Sequence, residues 1–192
     1  LPGEVRITMK KKESLSFWTG WFKSSRIAFE IQVPIATRAD LATGGGFLSL
    51  NALEGDAKLS TSGGHIDVKK LTGNLLAETS GGHIALKEIT GDAAVETSGG
   101  HIEADGVTGK FSGETSGGHI EVADIGKDIH VETSGGSIEI RGAHGGVEAD
   151  TSGGGVEVSF AKGNSRGGKI ESSGGGIRVA VRIGIHTGAV VI

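Results

Sequence analysis

A six-residue phrase recurs every 18 residues, starting at Thr61, Thr79, Thr97, Thr115, Thr133 and Thr151; it reads TSGGHI four times, then TSGGSI and TSGGGV. A weaker copy, TGGGFL, begins at Thr43, and SSGGGI begins at Ser172, 21 residues after Thr151. Eight coils are therefore legible. A short fixed period marks a solenoid, in which each repeat buries its apolar side chains only by stacking on its neighbours.

Aligned on the Thr-Ser-Gly-Gly phrase, the apolar residues fall into columns. Ile66, Ile84, Ile102, Ile120, Ile138 and Val156 form one, and Val68, Leu86, Ala104, Val122, Ile140 and Val158 form a second two residues on. Period two means strand. Leu71, Ile89, Val107, Ile125 and Ala143 follow three residues later. Beyond a glycine corner at 55, 73, 91, 109, 145 and 163 come Ala57, Leu75, Ala93, Phe111, Ile129 and Val147, and then Leu59, Ala77, Val95, Gly113, Val131 and Ala149. Lys127 interrupts the corner glycines, with Gly126 one place early, so a distorted corner is expected there.

A left-handed hexapeptide helix needs an aliphatic residue every six positions, and a calcium-binding roll needs Gly-Gly-x-Gly-x-Asp every nine; neither pattern is present. The sequence predicts an all-β, single-stranded, right-handed parallel β-solenoid, the hand following the general preference for right-handed parallel crossovers. Eight coils at about 4.8 Å each make a rod roughly 40 Å long. Residues 1–42 fall outside the period yet alternate over Val5, Ile7 and Met9 and over Ile27, Phe29, Ile31 and Val33 before Pro34. They are expected to be a strand pair that caps the open end, with coils from 43 to 192, because an uncapped end would recruit other chains. Residues Ile177 to Val191 are almost continuously apolar and are the candidate for the other cap.

Composition narrows the function classes. The 36 glycines sit at fixed phases, which separates them from linker glycine. No apolar run can cross a membrane as a helix, and no secretory signal is recognisable. The chain opens on Leu1 instead of Met, so a trimmed leader is expected and export stays open. The absence of cysteine excludes disulfides and cysteine-based metal or nucleophile chemistry. Residues 1–45 hold 7 Lys or Arg against 4 Asp or Glu, and residues 46–192 hold 12 against 19. An acidic rod argues against nucleic acid as partner, since a phosphate-binding face needs clustered cations.

The TSGGHI phrase, taken with the lead-in from Gln32-Val33-Pro34 to Thr43-Gly44-Gly45-Gly46, resembles a bacterial family labelled as adhesins: repeat domains of unknown biochemical function found mostly in cell-envelope proteins. The resemblance spans nearly the whole chain. It implies a β-solenoid and an envelope or extracellular setting, and it supplies no catalytic residues and no cofactor.

Four residue sets are candidates for contact or chemistry. His65, His83, His101 and His119 form an outward column, with Asp67, Glu103 and Glu121 two residues on and facing the same way. Such pairs offer nitrogen and oxygen ligands to a divalent metal, or a patch that gains charge near pH 6; copied surface residues are the plain alternative. Glu78, Glu96, Glu114, Glu132 and Asp150 form an acidic column. Its neighbours repel by about 0.9 kcal/mol in water, so it either meets cations or is a solvated face. The phrase threonines keep the inward parity, so their hydroxyls are expected to bond to one another or to corner backbone. Phe17, Trp18, Trp21 and Phe22, set between Lys10-Lys11-Lys12 and Lys23, suit a membrane surface, a sugar ring, a protein partner or the cap itself.

Repetition spreads one residue type down a column, whereas an active site needs unlike groups converging on one atom. The expectation is therefore a non-catalytic, adhesin-like rod, monomeric or weakly self-associating, with an envelope, glycan or protein ligand. The alternative is a carbohydrate-active enzyme on a β-helix, which a groove of unlike polar residues would favour.

Overall fold

The computed structural model describes residues 3–9 and 31–181. Within them every regular element is a strand, seventeen in all, and every strand pairing is parallel. The strands alternate between two sheets. A nine-stranded sheet begins with Gly3–Met9 and Thr37–Thr43, continues through Ala57–Thr61 and Leu75–Thr79, and ends at Gly168–Ser172. An eight-stranded sheet runs from Leu48–Glu54 through Ile66–Thr72 to Ile177–Val181. Each coil thus gives one strand to each face of a parallel β-solenoid of about eight turns and about 18 residues per turn.

The apolar columns are the core. Ile66, Ile84, Ile102, Ile120, Ile138 and Val156 are successive register partners and are buried. The columns containing Leu71 and Leu75 belong to the same buried cluster, and among the described residues Phe111 is the largest fully buried side chain. Burying a Leu, Ile or Val contributes about 1.5 to 3 kcal/mol, and stacking is the only way a coil this thin can do it.

Between Val68 and Leu71 the inward residues are three apart instead of two, and the backbone shows why. Ala52, Lys70, Glu88 and Asp124 occupy the left-handed region with φ of 51 to 57°, and Gly106 and Gly142 take the same place in their coils. One left-handed residue per coil turns the strand and resets its parity.

The two corners differ from expectation in an instructive way. Paired glycines at a corner suggest positive φ, and neither glycine of Gly99-Gly100 or Gly117-Gly118 has it. What demands glycine there is closeness. A Cβ on Gly100 would lie 1.8 Å from the carbonyl oxygen of Gly82, while one on Gly99 would have nothing nearer than 3.8 Å. Positive φ falls instead at the other corner, on Gly55, Gly73 and Gly91. There Gly55 and Gly73 donate forward to Thr72 and Thr90, whereas Gly109 and Lys127 donate back to Gly91 and Gly109. The distortion expected at Lys127 is thus a reversed hydrogen-bond direction that already begins one coil earlier.

At the N-terminal side, Ala39 and Leu41 pair with Ala57 and Leu59, so Thr37–Thr43 is already half of a coil completed by Leu48–Glu54. Gly3–Met9 adds one more parallel strand outside it. No strand forms over 31–33, and Ile31 is 48% exposed; Pro34 has no N–H to give, and the ladder starts at Ala36 and Thr37 beyond it. Ile27 and Phe29, and the apolar run past Val181, lie outside the described residues.

Candidate functional site

The Thr-Ser-Gly-Gly-His corner uses its polar groups on itself. Thr97 donates its hydroxyl to the Gly82 carbonyl of the preceding coil at 2.9 Å and accepts from the Gly100 N–H at 3.2 Å. The Gly99 N–H goes to the Ser80 carbonyl at 3.0 Å. The same Thr pattern repeats from Thr61 to Thr151, and Ser172 reproduces it with its own hydroxyl. All these threonines are buried. The buried donors of the corner, such as the Gly100 N–H, need protein acceptors, and Thr97 supplies one.

The histidines complete this accounting. The backbone N–H groups of His83, His101 and His119 donate to Nδ1 of His65, His83 and His101 at 2.9, 2.8 and 2.9 Å. Ser137 closes the series, its N–H and hydroxyl both meeting Nδ1 of His119. The rings stack with centroids 4.7 to 5.0 Å apart and planes within 10°. An accepting Nδ1 carries no proton, so each neutral ring holds its proton on the outward Nε2. Burial first, and then the charges of His101 and His65, push the His83 imidazole below the usual range.

The expected metal set is not brought to one point. Parallel rings aim their Nε2 atoms side by side, and Nδ1 is already engaged. Of the carboxylates, Asp67 pairs with Lys69 at 3.1 Å and Glu121 pairs with Arg141. Glu103 stands in register with Glu121, one rung away. Among the described residues no three His, Asp or Glu side chains are placed to hold one metal ion. Phe17, Trp18, Trp21 and Phe22 lie outside the described residues.

The opposite corner has a second ladder. Oδ1 atoms of Asp56, Asn74, Asp92 and Asp128 accept the backbone N–H one coil ahead, from Asn74, Asp92, Lys110 and Gly146, at 2.8 to 3.1 Å. These bonds, helped by Arg38 and Arg166, hold the Asp56 and Asp128 carboxyls below the usual range. Between the ladders, Glu78, Glu96, Glu114, Glu132 and Asp150 form an in-register acidic strip on the nine-stranded sheet. None of the five is in an ion pair among the described residues, whereas Glu171 at the end of the strip holds Lys169 at 2.9 Å.

With this geometry in view, a family model named Toastrack DUF4097 matches residues 2–187. The chain belongs to the Toastrack family. Toastrack repeats are β-solenoids of unknown function. Comparison of this Toastrack domain with curated proteins and with solved structures returned no match.

Two shallow grooves flank the glycine corner of the nine-stranded sheet. One, of about 420 Å³, is bordered by Arg38, Asp40, Asp56, Lys58 and Leu76. The other, of about 540 Å³, is bordered by Lys110, Ser112, Asp128, His130, Glu148 and Lys169. Sequence reasoning missed these residues. The signal was present, because the outward column through Ser112 never repeats a residue between Leu76 and Glu148 while the strip beside it does.

Proposed function

We propose that this Toastrack domain is a non-catalytic contact rod of the cell envelope or the extracellular space, presenting periodic outward columns to a glycan, an envelope component or a protein. One observation carries this reading. The side chains best suited to chemistry, the imidazoles, hydroxyls and corner carboxylates, are engaged in joining one coil to the next, which leaves uniform strips for contact. The resemblance of the coil phrase to adhesin-type repeats supports the setting. A binding screen of the intact chain against glycans, envelope fractions and anionic vesicles tests it. Saturable binding without turnover is the expected result.

A second reading, a carbohydrate-active enzyme, draws on one feature: the groove beside Ser112, His130 and Glu148 gathers unlike polar groups. Release of reducing ends from any glycan in the screen would favour it and overturn the contact-rod reading.

A further inference from the structure

The outward column of the nine-stranded sheet reads Lys58, Leu76, Ala94, Ser112, His130, Glu148 and Lys169 on successive rungs. Two residues on, the acidic strip keeps one character throughout. The eight-stranded sheet also has a mixed column, Asn51, Lys69, Lys87, Asp105, Ala123 and Arg141, but the larger groove opens on the last four rungs of the column through Ser112. The three-residue excess between Thr151 and Ser172 falls at the same place. Asn164 Nδ2 anchors that longer connection to the Ala143 and Gly145 carbonyls at 2.7 and 3.0 Å, and Arg166 Nη1 reaches across to Asp128 Oδ1 at 2.9 Å. Insertions into a solenoid repeat collect on the face that meets a ligand.

The groove's charges are mostly matched. Arg166 is paired with Asp128, Lys169 with Glu171, and His130 Nδ1 lies 3.2 Å from Glu148 Oε2. Among the described residues Lys110 is in no ion pair, although its charge also acts on Asp128, the carboxylate that Arg166 holds. Around it stand a hydroxyl on Ser112, the outer edge of the His130 ring and the Glu148 carboxylate, a mixture of donors and acceptors that suits several hydroxyl groups at once. A densely charged polyanion is disfavoured, since Glu114, Glu132 and Asp150 lie two residues away on the same face.

We propose that this groove binds a sugar or polyol carrying a single anionic group, the anion on Lys110 and the hydroxyls shared among Ser112, His130 and Glu148. The proposal rests on the contact-rod reading and names the ligand chemistry of one part of it. The anionic group can be a carboxylate or a phosphate.

Amide and imidazole NMR titration of the intact chain, with a disaccharide bearing one uronate, a hexose phosphate and neutral maltose as probes, tests it. The expected result is shifts centred on Lys110, Ser112 and His130 with one or both anionic probes, the pair distinguishing carboxylate from phosphate, and binding about tenfold weaker with maltose. Lys110→Ala should lose about tenfold in affinity for the anionic probe, and Lys58→Ala, on the same sheet but outside this groove, should lose none. Unchanged melting of Lys110→Ala separates loss of ligand from loss of fold. Equal binding of maltose, indifference to Lys110→Ala, or no shifts in the groove overturns the proposal. If the groove is silent while a screened glycan binds another face, this inference fails and the contact rod stands; cleaved sugar in the spectra sinks the contact rod.

Discussion

The backbone N–H of His101 donates to Nδ1 of His83 across 2.8 Å, one coil away, and that bond ties the charge of the ring to the integrity of the corner. A protonated Nδ1 would set N–H against N–H and place positive rings about 5 Å apart.

This gives a pH dependence with a definite sign. In the fold His83 lies below its ordinary value of 6.5, through burial first and then its two neighbouring rings. Above that value both folded and unfolded chains are neutral at this ring, and the stabilisation is fully present. As pH falls below it the unfolded chain takes up at this ring a proton that the folded chain refuses, so stability declines until pH passes the folded-state pKa of His83. Urea midpoints should therefore drop between about pH 7 and pH 5. His83→Asn keeps an acceptor without a titrating ring and should flatten that slope; an unchanged slope would contradict this ring's role.

The core assignment predicts a contrast between neighbours. Ile120 is 1% exposed with coils on both sides, whereas Glu121 faces solvent. Ile120→Ala should cost about 2 to 5 kcal/mol in denaturant unfolding through lost burial and a cavity. Glu121→Ala, which gives up a surface ion pair with Arg141, should cost about 1 kcal/mol or less.

Adjacent glycines should respond oppositely. An added methyl at Gly100 meets the Gly82 backbone at 1.8 Å and cannot be accommodated without separating two coils, while at Gly99 the space is open. Gly100→Ala should lower the melting temperature steeply or prevent folding, and Gly99→Ala should change stability by about 0.5 kcal/mol or less. Thermal melts of the two variants side by side measure this.

Thr97→Val preserves shape while stranding the Gly82 carbonyl and the Gly100 N–H inside the corner. The loss should be about 1 to 3 kcal/mol. Thr97→Ser should recover most of it, because Ser172 already fills the equivalent place. Equal losses for Val and Ser would mean that the hydroxyl is not what holds the corner.

The parts of the fold legible in the sequence are those that repetition amplifies. The Ile66 column, the inward threonines and the coil length all follow from side-chain pattern, and the structure has them. The left-handed residues were hidden because Lys70, Glu88 and Asp124 give no local sign of φ above zero; only Gly106 and Gly142 in the same column hint at it. The Gly-Gly pair is conspicuous in the sequence, yet the reason for it is not, because a single repeat does not reveal how closely the next lies upon it. The histidines were singled out as outward groups awaiting a ligand. Their Nδ1 atoms turned out to face along the rod, toward a backbone donor 18 residues on. The groove at Ser112, His130 and Glu148 escaped notice since a reading built on periodicity passes over the column that lacks it.

The parallel ladder also determines how the molecule answers force. Its backbone hydrogen bonds point along the rod, so tension between the ends loads them one rung at a time instead of shearing a whole sheet at once. Each coil that lets go releases 18 residues, or about 60 Å of extended chain, while the coils behind it keep their stacking. Such a chain is a spacer when compressed and a ratcheted tether when pulled, lengthening in equal steps rather than failing in one.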